Sequence, residues 1–200
     1  MDRRLCISLI LIVSLLVLIV GGCRTLVEPE TPDYVEYGWE LMADSSYREA
    51  IGQFEAGTDM NPSYADGWNG LGWAYARLGV ADTSELRFTT AATKSDTTIV
   101  GTEILAGRSF ARLALGQFSY AVSDAKGALA LTPAWTFRRD ITITYQHLYL
   151  TAATGYYGQG KFDSCLVWVK QLDSSFNTDV ATLSGRSRLA AKLEALKSGL

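Results

Sequence analysis

The longest apolar segment lies at the N-terminus of the chain. Leu5–Val20 carries no charged residue, follows two arginines and ends at a Gly-Gly-Cys sequence over residues 21–23. A short basic start, an apolar run of this length and small residues before a break are typical of a secretory signal, whereas a membrane-spanning helix needs about 20 apolar residues. We therefore predict a signal sequence over residues 1–22, with an uncleaved anchor helix as the alternative.

A second apolar pattern lies at the C-terminus. Leu189, Leu193 and Leu196 recur at i, i+4 and i+7, and Arg, Lys and Glu separate them. This spacing predicts an amphipathic helix within residues 180–200.

Between these segments, aromatic and small residues recur with a period of about 34 residues. Counted from Ala65 as position 1, the positions 4, 7, 8 and 11 are occupied by Trp68, Leu71, Gly72 and Tyr75. Moving the frame back by one unit again places an aromatic residue at position 4 and a glycine at position 8. The chain therefore contains internal repeats.

The spacing Trp-x2-Leu-Gly-x2-Tyr resembles the first-helix signature of the tetratricopeptide repeat. The resemblance implies an all-α, right-handed superhelix of four helix-turn-helix repeats, at residues 31–64, 65–98, 102–135 and 146–179. The C-terminal helix, residues 180–200, would cap the open end of this solenoid. A ten-residue insertion, around Thr136–Tyr145, precedes the fourth repeat.

Small residues at two positions of each repeat would let its helices approach closely. Position 8 holds Gly38, Gly72, Ser109 and Ala153, and position 20 holds Ala50, Ser84, Ala121 and Cys165. The turns between the paired helices are marked by Ser45, Gly79, Gly116 and Gly160. In this frame Trp68 is expected to be buried between helices.

The glycines of the second repeat have an alternative interpretation as a phosphate-binding loop. Gly67, Gly70 and Gly72 form a G-x-x-G-x-G pattern, but a dinucleotide fingerprint follows a buried strand, and residues 61–66 read as a turn. Gly72 falls on the packing position, whereas Gly67 and Gly70 have no role in the repeat consensus. The stretch therefore predicts a packed helix rather than a nucleotide site.

Composition and motifs disfavour several function classes. A net charge of −3 gives no basic surface for nucleic acid. His147 is the only histidine, which disfavours a His-based metal cluster, and we find no hydrolase or metalloprotease motif. Cys165 has no cysteine partner within the repeats and is expected to be a buried small residue. We predict a non-enzymatic protein without metal or cofactor.

The tetrad Val20-Gly21-Gly22-Cys23 resembles the bacterial lipobox. This resemblance implies that Cys23 is lipidated and becomes the first residue of the mature chain, joined to the repeats by a tether over residues 23–30. Arg24, in place of an aspartate, favours the periplasmic face of the outer membrane.

The resemblance to tetratricopeptide proteins also implies a concave groove lined by the first helix of each repeat. Aromatic anchors beside a few polar groups are typical of peptide-binding grooves. The family assigns an asparagine here to a peptide backbone, and a lone arginine is the candidate for a terminal carboxylate. The predicted partner-binding residues are Trp39, Asn69, Trp73, Arg77, Phe110, His147, Leu150 and Tyr157. Two alternatives remain: the groove is open to a partner, or the insertion or the C-terminal helix fills it.

The third repeat carries Arg108 and Arg112 at positions that are usually apolar. Either their stems pack while the guanidinium groups reach solvent or an acid such as Asp124, or they form a basic pair that faces a partner.

These features predict a membrane-anchored scaffold that binds a protein or peptide partner in a bacterial cell-envelope complex. The alternative is a periplasmic protein that captures a peptide or solute and serves a transporter. That alternative would require an enclosed cavity lined by Trp39, Trp73 and Phe110.

Overall fold

The computed structural model describes residues 28–95 and 97–200 of the chain, and these residues form an all-α fold. Its helices are α1 Thr31–Ala43, α2 Tyr47–Met60, α3 Ala65–Arg77, α4 Ala81–Ala92, α5 Thr98–Ala114, α6 Phe118–Leu131, α7 Tyr145–Gly158, α8 Phe162–Leu172 and α9 Leu183–Gly199. The first eight form four antiparallel pairs, and each pair packs on the next. The expected fold class is therefore confirmed.

A left-handed residue ends the first helix of every pair. Ser45, Gly79, Gly116 and Gly160 have φ of 61°, 75°, 69° and 71°. In the second pair, the amide of Gly79 donates to the carbonyl of Ala76, and the amide of Val80 donates to that of Tyr75. This arrangement satisfies the last carbonyls of the helix and reverses the chain. Glycine adopts a positive φ without steric cost, which explains its use at three of these four turns.

Two phenylalanine rings join successive pairs, and glycines make room for them. Phe54 is fully buried, and a Cβ atom added at Gly38 or Gly70 would lie 2.6 Å or 2.3 Å from its ring. The ring therefore lies between a glycine of its own repeat and a glycine of the next. Phe88 is held in the same way by Gly72 and Gly107.

Gly67 and Gly70, which have no role in the repeat consensus, both have packing roles in this chain. A Cβ atom at Gly67 would lie 2.8 Å from Thr58 Cγ2, and Gly70 accommodates the Phe54 ring. The glycine pattern of the second repeat is a surface of helix α3 on which its neighbours pack.

Helix α9 packs on the last pair of helices, but its direction is opposite to that of the next helix in a regular repeat array. Leu189 and Leu193 are buried against α7 and α8. The Arg186 guanidinium lies 4.6 Å from the centroid of Phe162, at the start of α8, and Lys192 pairs with Asp173, just after its end. Helix α9 is therefore parallel to α8, whereas the first helix of a fifth repeat would be antiparallel to it.

The predicted signal sequence, residues 1–22, and Cys23 lie outside the described residues. Among the residues that the structure does describe, no helix has both the length and the apolar character that crossing a membrane requires.

Candidate partner-binding groove

The first helices of successive pairs lie side by side and form one face of the array. Helix α3 contacts α1 on one side and α5 on the other. We call this face of α1, α3 and α5 the groove. Trp39 and Trp73 project from it as expected, but each is only 3% exposed, and Phe110 is half-buried. Another segment of the chain therefore covers these aromatic side chains.

The cover is the insertion before the fourth repeat, which forms a short hairpin over residues 134–145. The amide of Phe137 donates to the carbonyl of Ile143 at 2.9 Å, and that of Tyr145 donates to the carbonyl of Trp135 at 2.7 Å. Thr136 and Thr144 form an antiparallel bridge between these two bonds. The hairpin therefore has a backbone structure of its own.

Phe137 is the apolar anchor of the hairpin. Its ring stacks on Trp73 with a centroid distance of 4.3 Å and an interplanar angle of 18°, and it meets Trp39 edge-on at 6.0 Å. Trp135 lies beside it at 6.1 Å. Phe137 is 2% exposed, so its contact excludes water from both groove tryptophans.

Two arginines after Phe137 pair with acids of three different helices. Arg138 donates from Nε to Glu103 Oε1 at 2.7 Å and from one Nη to both carboxylate oxygens of Asp66 at 3.0 Å. Arg139 makes two parallel bonds to Glu36, at 2.7 Å and 2.8 Å, and lies 5.1 Å above the centroid of Trp39. Paired bonds of this kind are the stronger class of ion pair because geometry and charge act together.

Burial and pairing act in opposite directions on the acids of the hairpin contact. Burial raises the pKa of Glu103, which is 1% exposed, and its bonds to Arg138 oppose that shift only in part. The pKa of Asp140 is lowered, chiefly by the hydroxyl of Thr142 and also by Arg77. Arg77, the candidate for a terminal carboxylate, is thus bonded to an acid of the hairpin.

Asn69 also lies beneath the hairpin. Its side chain is fully buried, and its amide nitrogen donates to Asp66 Oδ1 at 3.2 Å and to Glu103 Oε2 at 3.1 Å. In this conformation the asparagine orients two carboxylates for Arg138 and does not face an incoming peptide backbone.

Of the two alternatives for the groove, the structure has the filled one. The hairpin, and not the C-terminal helix, covers Trp39, Asn69 and Trp73. Whether these residues bind a partner stays a prediction, but none of the three is accessible while the hairpin is in place.

The remaining predicted residues lie apart from this contact, on α7. His147 Nδ1 accepts a hydrogen bond from the amide of Thr144 and so caps the helix, and burial lowers the pKa of its imidazole. Leu150 is 9% exposed within the cluster formed with α9, and Tyr157 meets Phe162 edge-on at 5.2 Å. The structure therefore divides the predicted site into a part under the hairpin and a part beside α9.

The hypothesis of a partner-facing basic pair in the third repeat is wrong. Arg108 makes two bonds to Asp124, at 2.8 Å and 2.9 Å. Arg112 bonds to Asp124 at 2.8 Å and to Glu85 at 2.8 Å and 3.0 Å. Both guanidinium groups are neutralised within the fold, and Glu85 comes from the preceding repeat.

The two tryptophans of α3 differ from expectation in their burial. Trp68, expected between helices, is only half-buried; its indole donates to the carbonyl of Pro62 at 3.0 Å, and Arg87 lies 5.6 Å from its ring centroid. Trp73, expected to face a partner, is the buried one.

A cavity of about 520 Å³ remains beside the hairpin. Its walls include Trp39, Met42 and Tyr47 from the first repeat, Arg77 from α3, and the exposed hairpin tip at Ile141. The groove is therefore filled over the tryptophans but open toward the turn between α1 and α2.

Sequence reasoning did not connect the acids of the groove with the arginines of the insertion. Asp66 and Glu103 both stand at position 2 of their repeats, and two arginines lie in the insertion. Repeated acids on the groove face, opposite a basic insertion, were the available indication of this contact.

Cys165 shows none of the properties of a nucleophile. It is fully buried, and burial raises the pKa of its thiol to about 12. Within residues 28–95 and 97–200, no group of three or more His, Cys, Asp and Glu side chains is arranged to hold a metal ion.

Comparison with known proteins identifies the fold. No protein-family model and no curated protein matches the sequence. Several solved structures match. YrrB, a tetratricopeptide protein described as having an unusual peptide-binding site, matches with a TM-score of 0.62 and 12% sequence identity, over 83% of this chain and 86% of that one. MamA matches with a TM-score of 0.58 and 13% sequence identity, over 86% of each chain. A tetratricopeptide protein from Parabacteroides merdae matches at 0.56 and 15% identity, over 84% of this chain and 60% of its own. At these identities the likeness shows the architecture, and the chain has the fold of a tetratricopeptide-repeat superhelix.

Proposed function

We propose that this protein is a lipid-anchored, non-enzymatic scaffold that binds a protein partner in a bacterial cell envelope. The observation that carries the proposal is the groove itself, which holds a polypeptide segment by aromatic stacking and paired ions. Surfaces of this composition, with Trp and Arg at their centre, are typical of protein interfaces. In this structure the segment held is the chain's own hairpin.

The membrane half of the proposal rests on the sequence from Val20 to Cys23. Helix α1 begins at Thr31, eight residues after Cys23. A fully extended chain of that length spans at most about 28 Å. A lipid on Cys23 would therefore keep the first repeat close to the membrane surface, with the scaffold acting on partners that are membrane-bound or lie beside the membrane.

Two measurements test this function. Labelled palmitate should enter the wild-type chain and not Cys23→Ser, and the wild type should sediment with membranes while the variant is released. Crosslinking followed by purification from envelope membranes should recover a defined protein in stoichiometric amount with the wild type. Recovery of a small molecule and no protein would overturn the scaffold function.

The cavity favours a second candidate, the capture of a small ligand for a transporter. Its volume of about 520 Å³ falls in the range of small-molecule sites. It is open, however, and the aromatic surfaces of Trp39 and Trp73 that would hold a ligand are covered by Phe137. Mass spectrometry of the native protein distinguishes the two candidates, since a captured ligand adds a discrete mass.

A further inference from the structure

The hairpin is attached to the groove by side chains alone. Every backbone hydrogen bond described for residues 134–145 stays within residues 132–147. The helices of the groove are contacted by consecutive side chains, Phe137, Arg138, Arg139 and Asp140. Such an attachment does not depend on the hairpin's own backbone and can be made by another segment that carries the same side chains.

The groove has receptor residues for each of these side chains, and Trp39 and Asp66 each contact two of them. The aromatic ring lies against Trp39 and Trp73, and the first guanidinium lies between Asp66 and Glu103. The second guanidinium lies on Trp39 and Glu36, and the acid meets Arg77. The groove therefore binds an aromatic residue, two basic residues and an acid that are consecutive in the chain.

The hairpin forms the outer layer of the core, since Phe137 packs on Trp39 and Trp73 and these tryptophans meet Phe54 and Phe88 edge-on. Phe54 and Phe88 are fully buried, each between a glycine of its own repeat and a glycine of the next. The acids and tryptophans that receive the hairpin lie on the groove face instead. Departure of the hairpin would expose the tryptophans of this core and leave the glycine contacts of Phe54 and Phe88 in place.

The cavity beside the hairpin gives an incoming segment a place to begin. It is continuous with the ring contact, since Trp39, Trp73 and Phe137 line it, and it reaches Arg139 and Asp140 as well. Ile141, at the hairpin tip, is 76% exposed at its rim. A segment that enters here meets the outer ion pairs before the buried ring.

We propose that the groove is a receptor for an aromatic–basic–basic segment of a partner protein, and that the hairpin occupies it in the partner's place. The proposal rests on the scaffold function and names the chemistry of its partner. The partner is a different protein whose segment carries an aromatic residue followed by two Arg or Lys residues. Binding exchanges the hairpin for this segment, so the acids and tryptophans are never left without contacts.

A labelled peptide of residues 134–144 (AWTFRRDITIT) tests the receptor directly. It is titrated against the full chain in detergent, as wild type and as a variant in which Phe137, Arg138 and Arg139 are all alanine. We expect the variant to bind the peptide at least tenfold more tightly than the wild type, because its own hairpin no longer competes. A peptide with both arginines changed to glutamate should not bind. If the variant keeps its helical circular dichroism and binds neither peptide, or both equally, the proposal is overturned.

A second measurement uses the groove with its hairpin intact. Saturating peptide should raise amide hydrogen exchange at Phe137 and Ile143 of the wild type, because these amides are protected by the hairpin. In the triple-alanine variant, where the hairpin no longer competes for Asp66, Asp66→Asn should weaken peptide binding severalfold, whereas Asp82→Asn, an exposed acid of α4, should leave it unchanged. Unchanged exchange at saturation, or equal effects of the two substitutions, would overturn the exchange of segments.

The remaining outcomes separate this proposal from the scaffold function. A variant that sediments as a dimer through its vacated groove, and loses the dimer on adding peptide, would identify a second copy as the occupant and overturn the choice of partner. A partner recovered from membranes that the peptide does not displace would overturn the receptor and leave the scaffold function standing. Tight peptide binding without any recovered protein would support the receptor and count against the scaffold function.

Discussion

Phe137→Ala is the substitution that most directly tests the contact between hairpin and groove. Burying a phenylalanine side chain contributes about 1.5–3 kcal/mol, and an aromatic pair adds about 0.5–1.5 kcal/mol. Phe137 is 2% exposed and stacks on Trp73. Substitutions of this kind in cores cost about 3–5 kcal/mol. Because the hairpin is held by side chains and can settle into the space, we expect the lower end, about 3 kcal/mol.

The assay is urea unfolding followed by tryptophan emission and circular dichroism. With a denaturant slope of about 2 kcal/mol/M, the midpoint should fall by about 1.5 M. In the folded state, Phe137→Ala should also increase quenching by acrylamide, since Trp39 and Trp73 lose their cover. Ile141→Ala is the matched control on the same hairpin; its side chain is 76% exposed, and its effect should stay within about 0.5 kcal/mol. Equal midpoints and equal quenching in the two variants would refute the packing of Phe137 on the groove.

The remaining predictions concern the repeats. Gly70→Ala places a Cβ atom 2.3 Å from the Phe54 ring and should destabilise the fold by about 1–3 kcal/mol. In the control Gly52→Ala, the added Cβ atom meets nothing within 4 Å, and the substitution should stabilise the helix by up to about 1 kcal/mol. Melting temperatures that shift in the same direction in the two variants would contradict this prediction. Burial raises the pKa of Glu103 in the folded chain above the unfolded pKa of 4.5, so the folded chain binds the carboxyl proton more tightly. The contribution of Glu103 to the free energy of unfolding is therefore full below pH 4.5 and is lost as pH rises through the folded pKa. Glu103→Gln should remove this fall, and urea midpoints between pH 4 and 7 that keep the wild-type slope would count against it. Cys165 is fully buried, and burial raises the pKa of its thiol to about 12. In a chain whose other cysteines are replaced by serine, a thiol reagent at pH 8 should label Cys165 only when the chain unfolds. Labelling of the folded chain at the rate of a free thiol would show that Cys165 is accessible to solvent.

The fold could be predicted because its determinants are local and repeat. The spacing of Trp68 and Gly72 predicts helix α3, and the left-handed residue Gly79 marks the end of that helix. Both signals lie within one repeat. The same frame placed Trp73 on the groove face but did not show that the hairpin covers it, and it predicted deeper burial for Trp68 than the structure has. Position in a repeat identifies the face on which a side chain lies, but not what covers that face.

The cover could not be predicted because it depends on distances across the array. Arg138 meets Asp66, 72 residues earlier, and Arg139 meets Glu36, 103 residues earlier. Both pairings depend on how far the superhelix curves between the first and fourth repeats, which no local pattern fixes. The sequence permitted a filled groove and identified the insertion as a candidate, but it did not distinguish the insertion from the C-terminal helix.

The hairpin also affects the folding and the local unfolding of the repeat array. In an ordinary repeat protein each unit contacts only its neighbours, so end units can unfold alone. Here the bond between Arg139 and Glu36 joins the linker before the fourth repeat to the first helix, so fraying of the N-terminal repeat also strains the centre of the array. Because the N-terminal part of a chain emerges first, the first three repeats emerge before residue 137. A groove that formed in that interval would lack its hairpin, and a partner present during secretion could occupy it before the hairpin does.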